Sequence, residues 1–226
     1  MGRILLLLTV LIPIFNEQET CIELIRRVKA VNVTTQVIVI NDGSTDKSPE
    51  LLKQLPDIEL IHHSQRKGKG AAVRSAISHI KGDYVMLQDA DLEYHPDDYQ
   101  SLIDPIIADQ ADAVYGSRFL GRVLPQTWHT IGNKSLTTYA NIMNGGHLTD
   151  ISTCYKIIPA AVFCNLRLAS NGFGIDAEIT AKLYKLGKKV IEIPISYERR
   201  SLEDGKKIRW WDGIAALWSC TRFRLE

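Results

Sequence analysis

Four apolar runs in the first half of the chain each stop abruptly in a polar cluster, and this repetition limits the folds open to it more than any other feature. Residues 4–14 run into Asn16 and Glu17, "QVIVIND" into Asp42–Asp46, "IELIHH" into Lys67–Gly70, and "DYVMLQD" into Asp89–Glu93. Strands covered on both faces read as apolar runs of this kind, without polar alternation. Helical stretches separate them: "NEQETCIELIRRVKAV", with Asn16 the expected N-cap and Glu19 in the capping-box position; a short helix capped by Ser48 with Pro49 first; and "GAAVRSAISHI". Strands alternating with helices predict an α/β chain with a single, mostly parallel mixed sheet and helices on both faces. In such sheets ligands bind beyond the carboxyl ends of the strands, where the polar clusters fall.

The alternation continues with a Pro-started helix in "HPDDYQSLIDPIIA", whose Asp97 and Asp98 read as first-turn acids and which Pro105 is expected to break, and a strand in "DAVYGSRF". After Phe119 it loosens into a helix over 128–144, a strand near "CYKII", a helix at "DAEITAKLYKLG", a strand at "KVIEIPIS" and a last helix from about Trp211. A chain of 226 residues, 45% hydrophobic, can bury one substantial core, so one domain over 1–226 is expected.

The net charge of +1 hides an asymmetry: residues 185–226 hold ten of the 27 Lys/Arg but six of the 26 Asp/Glu. A basic end favours phosphates or an anionic membrane surface, or is simply solvated. No nucleic-acid partner is expected. Cys21, Cys154, Cys164 and Cys220 show no paired or metal-ligand spacing, which fits reduced thiols in the cytosol. "MGRILLLLTVLIP" is too short to span a bilayer and lacks a small-residue cleavage site, so it is expected to be a buried strand. In "WWDGIAALWSCTRFR", Trp211, Ile214, Ala215 and Trp218 recur at helical spacing ahead of Arg222 and Arg224. That pattern suits an interfacial helix or a stripe packed on the sheet, and the short stripe favours packing.

Of the four polar clusters only "DADLE" resists a bland reading. The other three contain what turns and helix starts need. Asp89, Asp91 and Glu93 alternate, so on a continuing strand they would share one face. Leaving such acids charged and unpaired at a buried strand end costs roughly several kcal/mol. A divalent cation removes that cost, and carboxylates together with diphosphate oxygens are what Mg2+ or Mn2+ accepts. Zinc is disfavoured, with His95 alone nearby.

"VLIPIFNE", "VIVINDGSTD", "KGKGAAVRSAI", "GDYVMLQDADLEYHP", "GSRF", "LTDISTCYKIIP" and "GFGIDAEITAKL", in this order, resemble glycosyltransferase family 2, in particular its dolichyl- and polyprenyl-phosphate sugar transferases. The resemblance runs from about residue 9 to about residue 218. It implies a GT-A fold, a nucleotide-sugar donor, Mg2+ or Mn2+, and transfer with inversion. It also implies that 1–118 bind the nucleotide sugar and 119–226 the acceptor, with the basic, aromatic helix at the end. By resemblance, Pro13, Asn16, Glu17 and Asp42 line the nucleoside pocket, with Lys67 and Gly68 near the nucleoside and diphosphate. Asp89 and Asp91 are the D-x-D acids and metal ligands, joined by Glu93, where the branch often carries Gln. Arg118, Lys134 and Ser135 belong to the acceptor-phosphate segment, Asp150 and Thr153 lie near the acceptor, and Lys206, Lys207 and Arg209 close over the donor phosphates.

Asp176 and Glu178 decide the subclass. A phosphate acceptor is already anionic and attacks unaided, whereas a hydroxyl needs a carboxylate to take its proton. The leading expectation is transfer from a UDP- or GDP-sugar to a polyprenyl phosphate at the cytoplasmic membrane face, with or without a membrane-protein partner. The alternatives are a hydroxyl acceptor, with Asp176 or Glu178 as base, and a non-catalytic nucleotide-sugar module.

Overall fold

β1 (Leu8–Ile14), buried along most of its length, is the strand around which the sheet grows. The structure, a computed structural model, describes residues 6–33, 35–121, 125, 127–199 and 210–226. β1 pairs in parallel with β2 (Thr35–Asn41) on one side and with β4 (Tyr84–Leu87) on the other, and β3 (Glu59–His62) lies outside β2. Beyond β4 come β6 (Lys156–Pro159), β5 (Ala113–Ser117) and β7 (Val190–Pro194), giving the order β3-β2-β1-β4-β6-β5-β7. Only β6 runs antiparallel to its neighbours. The two halves of the sequence therefore interleave, because β6 enters the sheet between two strands of the first half. Pro13 is tolerated inside β1 because pairing with β4 ends at Leu11, so at Pro13 the strand has a partner on the β2 side alone.

The helices are α1 (Cys21–Ala30), α2 (Ser48–Leu52), α3 (Lys69–Ser75), α4 (Tyr99–Ile107), α5 (Trp128–Asn144), α6 (Ala160–Asn165), α7 (Ile175–Lys185) and α8 (Trp210–Leu225). Several differ from expectation for local reasons. Asn16 does not cap α1, which starts behind Thr20; it sits at φ 52° and its side chain accepts from the Thr45 N–H, tying the loop after β1 to the loop after β2. Ser48 is the first residue of α2 rather than its cap, and its hydroxyl accepts from the Glu17 N–H. Pro105 does not break α4; the carbonyl it leaves without a donor belongs to exposed Ser101. Asp98 lies in a 3₁₀ turn, and its carboxylate accepts from the Ser196 N–H at 2.7 Å instead of acting as a mere first-turn charge. α6 has no counterpart in the expected elements.

α8 packs on α7 and α5 rather than on the sheet. Ala216, Ser219, Cys220 and Phe223 face inward, whereas Ile214 and Trp218 are exposed, so the expected tryptophan packing does not hold for Trp218. The side chain of Trp211 lies outside the described residues. The four cysteines are free thiols.

"KGKG" owes its glycines to a close approach. A Cβ on Gly70 would stand 2.3 Å from the Ser170 carbonyl oxygen, and one on Gly68, at φ +100°, 2.5 Å from that of Asn171. The start of α3 thus lies against the backbone of 170–171, held there by the Ala71 N–H donating to the Asn171 oxygen at 3.0 Å. Gly70→Ala is expected to cost roughly 1–3 kcal/mol of stability, because neither backbone can give way cheaply; urea unfolding measures it.

Candidate active site

The acidic turn begins where β4 stops. β4 ends at Leu87, Asp89–Glu93 bend away, and Leu92 takes φ 62°, so the three acids do not stay on one strand face. Their alternation is resolved by turning and by a counter-charge. Lys69, first residue of α3, places its ammonium 2.8 Å from Asp89 Oδ1 and 3.6 Å from Asp176 Oδ2. Asp176, at the start of α7, is met from the other side by Lys156 at 2.6 Å. Lys156 lies on β6, is fully buried, and also donates to the Thr153 carbonyl. Two lysines and two aspartates from four elements thus alternate beneath the site.

This alternation sets the protonation of the acids. Burial works against the charged form of Asp89, but Lys69 outweighs it and holds the carboxyl below the usual range. Lys69 in turn is raised well above an ordinary lysine, since Asp176 and Asp89 overcome its burial. Asp91 carries the excess: burial first, then the charges of Asp89 and Glu93, push its carboxyl up to about 7.

Glu93 turns toward β7's continuation, where Tyr197 Oη donates to its Oε2 at 2.7 Å. Among the described residues no three His, Cys, Asp or Glu side chains form a ready-made metal cage, so Asp89, Asp91 and Glu93 are not gathered as the expected trio. His95 pairs with Glu198 at 3.6 Å. The residues nevertheless fit a hard divalent cation that arrives with a diphosphate. Such ions take one or two carboxylates and complete their shell with phosphate oxygens, and the surplus negative charge that raises Asp91 is what a cation would relieve.

Asp42 is buried at the end of β2. Its Oδ1 accepts from the Lys67 N–H at 2.8 Å and its Oδ2 from the Gly68 N–H at 2.7 Å, with His63 Nδ1 2.7 Å from Oδ1. Its carboxylate therefore shapes the loop that carries Lys67, itself exposed, into α3. Pro13, Asn16 and Glu17 border the same end of the sheet, at the edge of β1 and in the loop that follows it. Glu178, fully buried on α7, accepts from the Ala169 and Ser170 N–H groups at 2.7 Å each and from Lys182 at 2.6 Å. Both acids considered as bases are thus engaged: Glu178 fixes the loop against which Gly68 and Gly70 pack, and Asp176 lies between two lysines.

On the other side of the acidic turn, Arg118 forms a buried fork with Asp150, Nε to Oδ2 at 2.7 Å and Nη2 to Oδ1 at 2.8 Å. Thr153 is buried and uses its carbonyl on Lys156. The Phe119 ring lies 5.8 Å from the Arg118 guanidinium carbon and 5.5 Å from the Lys134 ammonium. From Lys134 and Ser135 a groove of about 480 Å3 runs along α5 past Ile131, Thr138 and Ile142. Lys206, Lys207 and Arg209 lie outside the described residues. Lys69 and Lys156 were not singled out from the sequence. A lysine inside the apolar strand "CYKII" is a signal that a buried acid must face it.

The sequence profile of Glycosyl transferase family 2 matches residues 9–166. The chain belongs to glycosyl transferase family 2. Its fold is the GT-A fold. It is 30% identical over 195 residues to Glycosyltransferase AglJ of Haloferax volcanii, covering 84% of this chain and 63% of that one. The chain thus spans less than two thirds of that relative's length. It is 27% identical over 241 residues to Undecaprenyl-phosphate mannosyltransferase of Micrococcus luteus, covering 95% and 97%. Among solved structures, glucosyl-3-phosphoglycerate synthase of Mycobacterium tuberculosis, in complex with Mn2+, UDP-glucose and phosphoglyceric acid, superposes with a TM-score of 0.69 at 18% identity, covering 95% of this chain and 80% of that one.

Two outcomes follow for this family 2 enzyme. Lys156→Met leaves a buried acid short of one partner and is expected to destabilise by roughly 3–5 kcal/mol, with part recovered in Lys156→Met/Asp176→Leu; urea denaturation measures both. Asp91 holds its proton to higher pH when folded than when unfolded. Its stabilising contribution is therefore complete below the ordinary carboxylate range and is lost as pH rises through about 7. Metal-free protein should melt progressively lower across that window, and Asp91→Asn should flatten the slope.

Proposed function

We propose that this glycosyltransferase moves a sugar from a nucleotide diphosphate to a polyprenyl phosphate at a membrane surface, using a divalent cation. The observation that carries this reading is the engagement of both acids a hydroxyl acceptor would need. Glu178 spends its oxygens on two amides and Lys182, and Asp176 faces Lys69 and Lys156. A phosphate monoester needs no base. The relatives support the same acceptor class, one of them being named an undecaprenyl-phosphate mannosyltransferase. Metal-dependent use of a uridine donor is supported by the solved relative in complex with Mn2+ and UDP-glucose.

In this mechanism the donor diphosphate lies over the acidic turn and the start of α3. Asp89 and Asp91, with Glu93 beside them, would hold the cation, which when bound supplies Lewis-acid stabilisation to the leaving diphosphate. Lys69 adds a preorganised positive charge where negative charge collects as the anomeric C–O bond breaks. Lys134 and Ser135 receive the acceptor phosphate beside Phe119 and Arg118, and the groove along α5 takes the first isoprenes. A phosphate oxygen then displaces the nucleotide from the opposite face of the sugar, inverting the anomeric centre.

The setting suits a lipid substrate. Trp128, Ile131 and Ile142 on α5, and Ile214, Leu217, Trp218 and Leu225 on α8, are exposed on two helices that pack together. Arg222 and Arg224 stand near the end of α8, as in helices that lie at a headgroup interface. No helix among the described residues is long and apolar enough to cross a membrane.

With Mn2+ and a panel of UDP- and GDP-sugars, the protein should glycosylate polyprenyl phosphate and leave the dephosphorylated polyprenol untouched. Asp91→Asn should lower kcat by about 100-fold or more, on the scale of losing a main electrostatic group. Lys134→Ala should raise the acceptor KM with kcat little changed. Efficient transfer to polyprenol or a saccharide, abolished by Asp176→Asn with donor binding intact, would point to the hydroxyl acceptor instead.

A further inference from the structure

We propose that Tyr197 is a positioning residue that holds the donor-side acid Glu93 and the acceptor-side guanidinium of Arg118 in one fixed relation. The roles of those two groups rest on the function proposed above. The support itself is independent of it and consists of one side chain touching both.

Tyr197 follows β7 and is locked to the acidic turn through its backbone. It forms an antiparallel bridge with Tyr94, and the next residue, Glu198, donates its N–H to the Glu93 carbonyl at 2.9 Å. One residue earlier, Ser196 donates its N–H to Asp98 at 2.7 Å. The Tyr197 Cα therefore cannot move without the turn. From that anchored position its hydroxyl donates to Glu93 Oε2 at 2.7 Å, while its ring stands 5.4 Å from the Arg118 guanidinium carbon.

The two contacts act through different chemistry. A phenol donating to a carboxylate makes a charge-assisted hydrogen bond, which fixes the carboxylate's rotamer. Hydrogen-bonded partners of this kind orient carboxylates toward a metal. The ring acts on Arg118 by shape and quadrupole. Asp150 takes the guanidinium by its edge, and three rings, Tyr197, Phe119 and Tyr94, lie within 6.0 Å of its carbon, with Tyr197 the nearest. Asp150 alone fixes the fork, whereas the rings fix the tilt of the plane. Tyr99 and Tyr155 show the contrasting structural case, since both hydroxyls close on Gln88 inside the core and touch no site acid.

The hydroxyl and the ring can be removed separately. Mn2+ binding is read by electron paramagnetic resonance in the presence of UDP or GDP, whichever the wild-type protein binds, and farnesyl phosphate binding by calorimetry without metal. Tyr197→Phe is expected to weaken Mn2+ binding by about 10-fold, as loss of a carboxylate's hydrogen-bond partner does, and to leave farnesyl phosphate affinity unchanged. Tyr197→Leu is expected to weaken both. In a Glu93→Gln background, adding Tyr197→Phe should cost markedly less Mn2+ affinity than it does in the wild type.

Unchanged Mn2+ affinity in Tyr197→Phe overturns the proposal, as does an equal cost of that substitution with and without Glu93, or unaltered farnesyl phosphate binding in Tyr197→Leu. If Tyr197→Leu does not fold, Tyr197→Phe and its combination with Glu93→Gln decide the matter. A wild-type protein that binds no Mn2+ with either nucleotide also overturns it. Wild-type protein that binds Mn2+ with nucleotide but glycosylates no polyprenyl phosphate removes the functional reading alone, because both binding measurements still test Tyr197.

Discussion

The alternating row Asp89, Lys69, Asp176, Lys156 is the interaction on which the rest depends. It joins the end of β4, the start of α3, the start of α7 and β6, four elements brought together only by the fold. Ions this deeply placed lose several kcal/mol each of hydration, roughly, and regain it only when every charge has its partner. Two cations match two of the acids, and Asp91 is left as the surplus. In the proposed function this surplus charge is what a cation arriving with the donor diphosphate would relieve.

The same economy governs the second half of the chain. Glu178 shapes residues 169–170, the adjoining backbone of 170–171 sits against two glycines, and those glycines begin the helix that delivers Lys69. A residue far along the sequence thereby sets the geometry of the donor loop. The sheet does not respect the expected division into a donor half and an acceptor half, because β6 separates β4 from β5.

Much of this was legible in advance. The four polar clusters lie beyond strand ends on one edge of the sheet, and α5 begins and ends where its pattern indicated. What could not be read was tertiary. Lys67 was the lysine the pattern singled out, and only the direction in which α3 leaves its loop decides that Lys69 reaches Asp89. Asp176 and Glu178 looked like candidate bases, since partners twenty residues or more away, such as Lys156, and loop amides are invisible in a linear pattern. The short stripe of α8 favoured packed tryptophans, yet the helix turns Trp218 outward because Cys220 and Phe223 fill the inner face.

The fork between Arg118 and Asp150 fastens together the two ends of a long excursion, since one residue closes β5 and the other precedes β6. α5 and its groove lie in the chain between those two pins. Because α5 also packs on α7 and α8, the loops at either end of such a stretch can vary in length more freely than the helix itself. Divergence in what such enzymes decorate would then concentrate in a cassette, while the machinery that breaks the donor bond stays the same.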